Sequence, residues 1–200
     1  MQSIYFKEEH NLLRDMVRRF VETEIKPHGD AWERDGMVPR ETLRKMGELG
    51  LFGLRFPEKY GGSDMDVFAM IVLAEELGRS TFGGVSVTVM VHTAMSSPHL
   101  VYAGSEAQIR KYLPDILSGE SICAIAVSEP AAGSDVGGIR TRAVRDGDDW
   151  VLNGSKMFIS NGYYGDLYFV AAKTDLEAKG SRGISMFIVE RDTPGFKIGR

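Results

Sequence analysis

Apolar residues recur at helical spacing through the first part of the chain and in short, strand-length runs later. From residue 7 to 26, Leu12, Leu13, Met16, Val17, Phe20, Val21 and Ile25 make one apolar stripe, which predicts an amphipathic helix ended by Pro27. Pro39 suits the first turn of a short helix through Thr42, Leu43 and Met46, with Gly50 as its C-terminal cap. Residues 56–62 are turn-rich, and helical pattern resumes over 66–77. The nearly uncharged stretch 85–102 predicts a helix buried almost all round. Its small side chains, Thr93, Ala94, Ser96 and Ser97, imply either close helix packing or space left for a ligand. Ser105 and Gln108 have capping-box spacing, and the stripe continues through Ile109, Tyr112, Leu113 and Ile116. Pro114 within that stripe predicts a kink or an early end.

At Gly119 the period changes. Residues 122–127 are a short apolar run of strand length. Segments 141–145 and 150–152 flank Asp146-Gly147-Asp148, a hairpin signal, and Asn153-Gly154 predicts a second tight turn into a strand over 155–160. Residues 166–173 and 184–190 read as two more strands. The fold class is therefore α+β: an all-helical domain over 1–120, then an antiparallel β domain over 121–200. The last residues, Thr193 to Arg200, read as a turn entering another strand, so the β domain is expected to be incomplete at that end.

Composition narrows the function classes. The 200 residues are 43% hydrophobic and 26% charged, within the range of globular domains. A net charge of −4 gives no general attraction to nucleic acid or an anionic membrane. The apolar run near residues 85–91 is interrupted by Ser86 and Thr88 and is too short to span a bilayer, so no membrane insertion is expected. The first ten residues lack the basic-then-apolar order of a leader. With one cysteine, Cys123, this predicts a cytoplasmic protein; a mitochondrial form that has lost its leader is also compatible. None of the four histidines has metal-ligand spacing. Glu75 and Glu76 read as a solvated helix face, and Arg140, Arg142 and Arg145 as a solvated basic cluster on hairpin strands.

Two segments carry candidate chemistry. In the first, Ala124, Ile125, Ala126, Val127 and Ser128 run into a turn of Glu129, Pro130, Ala131, Ala132, Gly133, Ser134 and Asp135. Such a turn lets a ligand approach backbone closely, although an ordinary strand and Asp/Ser-stabilised turn would read the same way. It is no dinucleotide fingerprint, because G-x-G-x-x-G and a following helix are both missing. In the second, alternation over 155–160 would put Phe158 and Ser160 on one strand face, an aromatic wall beside a hydroxyl. Alone, this too reads as a hairpin strand with a core aromatic.

Together, A-x-A-x-[ST]-E-P-x-A-G-S-D and N-G-x-K-x-[WF]-I-[ST]-N-G resemble the acyl-CoA dehydrogenase family, as does the closing T-P-G-F-x-I-G-R. The resemblance implies a helical domain, a β-barrel-like middle domain, and a C-terminal helical domain that this chain lacks. It implies FAD bound at Ile125, Ala126, Val127, Ser128, Gly133, Ser134, Phe158, Ile159 and Ser160. Ser128 would meet the pyrimidine edge, Ser134 the acyl-CoA, Phe158 the ring and Ser160 flavin N5. Where the family commonly has Trp, Phe158 keeps an apolar face without the indole N–H. The implied reaction is α,β-dehydrogenation of an acyl-CoA, with a base beyond Arg200, so residues 1–200 alone are expected to be inactive. An electron-transferring flavoprotein as acceptor and a homotetramer or homodimer are implied as well. The Phe and Ser of the second motif lean toward long-chain members. The rival readings are an acyl-CoA oxidase or flavin monooxygenase relative, and a non-catalytic, half-length nucleotide-binding protein.

Overall fold

A computed structural model describes residues 4–199. The chain divides into two compact units, Met1–Ser121 and Ile122–Arg200.

The first unit is helical. Helix α1 (Glu8–Phe20) continues into a π-helical turn, Val21–Ile25, and is followed by α2 (Gly29–Asp35) and α3 (Arg40–Glu48). Then come α4 (Val67–Gly78), α5 (Gly83–Met90), a π-helical turn Val91–Ser96, α6 (Ser97–Ala103) and α7 (Glu106–Ser118). Helix α1 packs on α4. Its buried stripe is Leu13, Val17 and Phe20, carried on by Val21 and Ile25, while Leu12 is 65% exposed and lies off it. Leu43, Met46, Phe52, Leu73, Leu77, Leu113 and Ile116 complete a core sealed from solvent.

Helix ends follow side-chain chemistry. Asp66 accepts the N–H of Phe68 at 2.9 Å, capping α4, and also contacts His10 Nε2 at 2.9 Å. The other nitrogen, His10 Nδ1, accepts the N–H of Lys7 at 3.0 Å, so one imidazole fastens the start of α1 to the start of α4. Ser105 and Gln108 form the expected reciprocal cap on α7. Helix α7 nevertheless runs through Pro114 to Ser118, and buried Leu113 and Ile116 explain why. Pro114 is exposed, so the carbonyl it leaves without an N–H can take water, while burial on the opposite face holds the turn.

The solvated-face reading of Glu75 and Glu76 holds for only one of the pair. Glu75 is half-exposed and pairs with Arg14 at 2.7 Å. Glu76 is 1% exposed and receives Arg14 at 2.9 Å, Arg18 at 2.8 Å and Arg79 at 3.4 Å. The Arg18 guanidinium, aided by Arg14 and working against burial, holds its carboxyl below the ordinary range.

The second unit is one open, five-stranded sheet: β1 (Cys123–Ala126), β2 (Arg142–Asp146), β3 (Asp149–Asn153), β4 (Leu167–Lys173) and β5 (Ile184–Glu190). The antiparallel expectation is met by the β2–β3 and β4–β5 hairpins. It fails for β1 and β2, which both run parallel to β4. The sheet is thus mixed and open. β4, buried along nearly its whole length, is its centre, because residues far apart in sequence converge on it. β5 takes one edge of β4. Along the other edge β1 pairs with Leu167 to Val170 and β2 reaches only Lys173, so residues 127–141 leave the sheet between the two.

Candidate functional site

The excursion between β1 and β2 contains the first candidate segment. Its turn closes through paired backbone bonds, Glu129 N to Ala132 O at 2.8 Å and Ala132 N to Glu129 O at 3.2 Å. Ala132 is buried with Ile139 and Ala171, and Val127 packs against that cluster. The Glu129 carboxylate, 5% exposed, accepts the N–H groups of Arg140 at 2.6 Å and Thr141 at 3.0 Å, and the Lys156 ammonium at 2.8 Å. Burial pushes this carboxyl up, but Lys156 and the two backbone donors outweigh it and leave its pKa at about 2. Glu129 is therefore a structural anion and is unsuited to take a proton near neutrality. Gly133 and Ser134 lie beyond this anchor and are exposed; a side chain added at Gly133 would meet nothing within 4 Å.

The second segment departs from expectation. Residues 155–160 form no strand, and Phe158 has φ +58°, a left-handed backbone that breaks the alternation. The segment instead lies against the first. Met157 N–H donates to the Ser128 carbonyl at 2.9 Å, and Lys156 Nζ donates to the Val127 carbonyl at 3.0 Å. Gly154 presses on Thr141 so closely that a Cβ would fall 2.3 Å from its hydroxyl oxygen. Phe158 is 91% exposed, where the hairpin reading would have buried it. Ile159 turns inward against the Ala124, Ala126, Tyr168 and Val170 cluster, and Ser160 is exposed.

Beyond Ser160 the chain is fixed again. Asn161, buried with φ +63°, donates from Nδ2 to the Cys123 carbonyl at 3.0 Å. Arg191 Nη1 donates to the carbonyls of Tyr163 at 3.0 Å and Gly165 at 2.9 Å.

The structure thus brings the two segments together through backbone and buried charge. Among the described residues the hydroxyls of Ser128, Ser134 and Ser160 have no hydrogen bond within the chain. Ile125 and Ala126 lie within β1, and Ile159 packs against the buried cluster of the sheet. Sequence reasoning missed Lys156, Asn161 and Arg191. The signal available for Lys156 was a charged residue directly before the apolar Met157, Phe158 and Ile159. The Arg140, Arg142 and Arg145 side chains are on exposed residues.

The small residues of the α5–α6 region divide. Thr93 donates to the Phe52 carbonyl at 2.9 Å and Ser97 to that of His92 at 2.7 Å, both buried. Ala94 is exposed and, with Thr93, Pro98, Arg55, Met70 and Tyr102, lines a cavity of about 90 Å³. Ligand atoms of Glu9, His10 and Asp66 lie within 4.8 Å of one another, but both His10 nitrogens already have partners. Among the described residues no helix is long and apolar enough to cross a membrane.

Comparison with known proteins agrees with this arrangement. Residues 7–120 match the family description "Acyl-CoA dehydrogenase, N-terminal domain", and 124–200 match its middle domain. The chain is 41% identical over 196 residues to the long-chain specific acyl-CoA dehydrogenase of Sus scrofa mitochondria, covering 98% of this chain and 45% of that one. The crystal structure of an acyl-CoA dehydrogenase from Geobacillus kaustophilus superposes with a TM-score of 0.93 at 44% identity, covering 100% of this chain and 52% of that one. A glutaryl-CoA dehydrogenase from Mycobacterium smegmatis in complex with FADH2 gives 0.88 at 34% identity, over 96% and 48%. The chain spans about half the length of the curated relatives it matches. It belongs to the acyl-CoA dehydrogenase family and carries that family's N-terminal and middle domains.

Proposed function

We propose that the protein containing this chain is an FAD-dependent acyl-CoA dehydrogenase, with residues 125–134 and 158–160 forming its flavin-facing surface. The observation that carries the reading is the pairing of the two segments around an exposed, left-handed Phe158. An aromatic ring held open to solvent in a strained backbone is stable only where the surroundings over-determine it, and such strain clusters at ligand sites. The residues suit a flavin: Phe158 offers an apolar face, and Ser128 and Ser160 offer hydroxyls with no hydrogen-bond partner among the described residues.

When bound, FAD supplies the acceptor for the hydride leaving the β-carbon. Phe158 would offer its apolar face to the bound group, and Ser160 and Ser128 would each donate a hydrogen bond to it. Ser134, exposed past the Glu129 anchor, would contact the acyl-CoA. Glu129 stays ionised in its own contacts, and the α-proton goes to a carboxylate outside residues 1–200. Thr93, Ala94 and Pro98 border space suited to an acyl chain, the long-chain class being the first to test. We further propose domains meeting near residue 120, a cytoplasmic home that suits the lone buried thiol of Cys123, a homotetramer, and an electron-transferring flavoprotein as electron acceptor.

The test is anaerobic mixing of the purified protein with acyl-CoAs of graded length. Bleaching of a bound flavin, followed by transfer to an electron-transferring flavoprotein, is expected. A protein with no flavin overturns the site assignment, and hydrogen peroxide formation in air without that transfer overturns the acceptor.

A further inference from the structure

The geometry points to Lys156 as the positioning residue that sets the two halves of this surface against each other, an inference that rests on the flavin reading above. Its ammonium lies between two acceptors in the first segment, the Val127 carbonyl at 3.0 Å and Glu129 Oε1 at 2.8 Å. Lysine ordinarily keeps its charged head in water, and here the side chain is 10% exposed. Burial lowers its pKa and Glu129 counters that shift. The head is therefore enclosed, with fixed partners.

Its neighbours in sequence show what the contact controls. Gly154 is pressed against Thr141, Met157 N–H is bound to the Ser128 carbonyl, and Phe158 follows with its left-handed backbone. On the far side Phe158 is fixed by the packing of partly buried Ile159 and by Asn161. On the near side the fixing contacts are Met157 N–H and the Lys156 ammonium. A bulky residue stays at positive φ only while both flanks are held. Lys156 thus sets where the Phe158 ring stands relative to Ser128. Glu129 completes the device by carrying the constraint on to Arg140 and Thr141, where the excursion rejoins the sheet. The ammonium is engaged by Val127 and Glu129, so it acts through Phe158 and Ser128.

The experiment uses the intact flavoprotein and its apo form with Lys156→Met and Lys156→Arg. Met fills similar volume without charge or donors; Arg restores both in a different shape. Lys156→Met is expected to weaken FAD binding by about tenfold or more, the loss of a hydrogen bond to a charged group. It should also broaden the flavin visible band and speed amide exchange at Met157, Arg140 and Thr141, with protection of β4 and β5 unchanged. Lys156→Arg should recover most of the affinity and the spectrum. Unchanged affinity and spectrum in Lys156→Met overturns the inference, as does exchange rising equally across β4 and β5, or an Arg variant no better than Met. If Lys156→Met does not fold, Glu129→Gln must show the same local pattern in milder form, and a wild-type profile there overturns the inference. A wild-type protein that binds no FAD sinks the flavin reading and this inference together. A flavin-loaded wild type beside an indifferent Lys156→Met sinks this inference alone.

Discussion

Glu76 in the helical unit and Glu129 in the β unit are both nearly sealed from solvent and both held in the anionic form, yet their partners differ in kind. Glu76 is met by the guanidinium groups of Arg14 and Arg18 from α1 and of Arg79 just past its own helix. Those side chains cross-link helices, and their partial exposure lets them relax toward water if the carboxylate is lost. Glu129 is met by two backbone N–H groups and one enclosed ammonium, all within the candidate site. Backbone donors cannot swing away. A charge among mobile side chains fastens a fold, whereas one bound to main chain fixes a geometry. The first should show in stability alone, the second in stability and ligand binding together.

The largest effect is expected in the helical unit. Replacing Arg14 and Arg18 together with Met leaves buried Glu76 with Arg79 alone and should lower stability in urea unfolding at neutral pH more than any other of these substitutions. The same pair placed in a Glu76→Gln background should recover much of that loss, and no recovery would mean the arginines act by packing instead. Flavin affinity of whatever stays folded should not change.

Acid compares the two anchors next. Glu129 has a folded pKa of about 2 against an ordinary 4.5, so its contribution is complete above about pH 4.5 and fades as pH falls toward 2. Glu129→Gln should flatten stability across that window and still weaken FAD binding near neutrality, where the window is closed. Glu76→Gln should also lessen acid sensitivity but leave FAD affinity alone. If both variants alter binding equally, the distinction between fold and site fails.

A smaller effect belongs to the exposed hydroxyl. Ser160→Ala should lower the reduction potential of the bound flavin, through loss of a charge-assisted bond of roughly 1.5–3 kcal/mol to the reduced form. A spectroelectrochemical titration with no shift would remove Ser160 from the flavin edge. Smallest in stability is Phe158→Gly. Relief of left-handed strain, about 1–2 kcal/mol, is partly offset by glycine's greater freedom when unfolded. The melting temperature should hold or rise slightly while flavin affinity falls. A clear drop in melting temperature would show that the ring, despite its exposure, supports the fold.

Much of this was legible in the sequence, for identifiable reasons. Helices announced themselves by the spacing of Leu13, Val17 and Phe20 and by the Ser105–Gln108 cap, because both signals are local. Pro114 misled because its local penalty is modest at an exposed position, while Leu113 and Ile116 are buried by distant partners. The β2–β3 hairpin was readable from its turn, and β4 and β5 as strands from their apolar runs, but the parallel pairing of β1 with β4 depends on no nearby residue. The strand expected over 155–160 came from the Asn153-Gly154 turn signal and the apolar Met157, Phe158 and Ile159 beyond it. Contact with the first segment overrides it, and the sequence holds no sign of Phe158's positive φ. Glu76 looked like a surface residue because its three arginines are brought to it only by the packing of α1 on α4 and the turn after it.

The placement of β1 beside β4 has a consequence for how the site comes into being. The two hairpins close over short stretches of chain, whereas setting Cys123 beside Leu167 must bridge everything between them. The entropy of closing that longer loop is met late, so β1 should dock onto hairpins already formed. Since the first segment hangs from β1 and the second from β3, the surface proposed to face flavin exists only once this last strand is seated. Cofactor then binds the finished state and not its precursors, and each binding event draws the population toward completion. Refolding followed by flavin fluorescence should therefore trail the appearance of strand signal, and the interval between them would time the docking of β1.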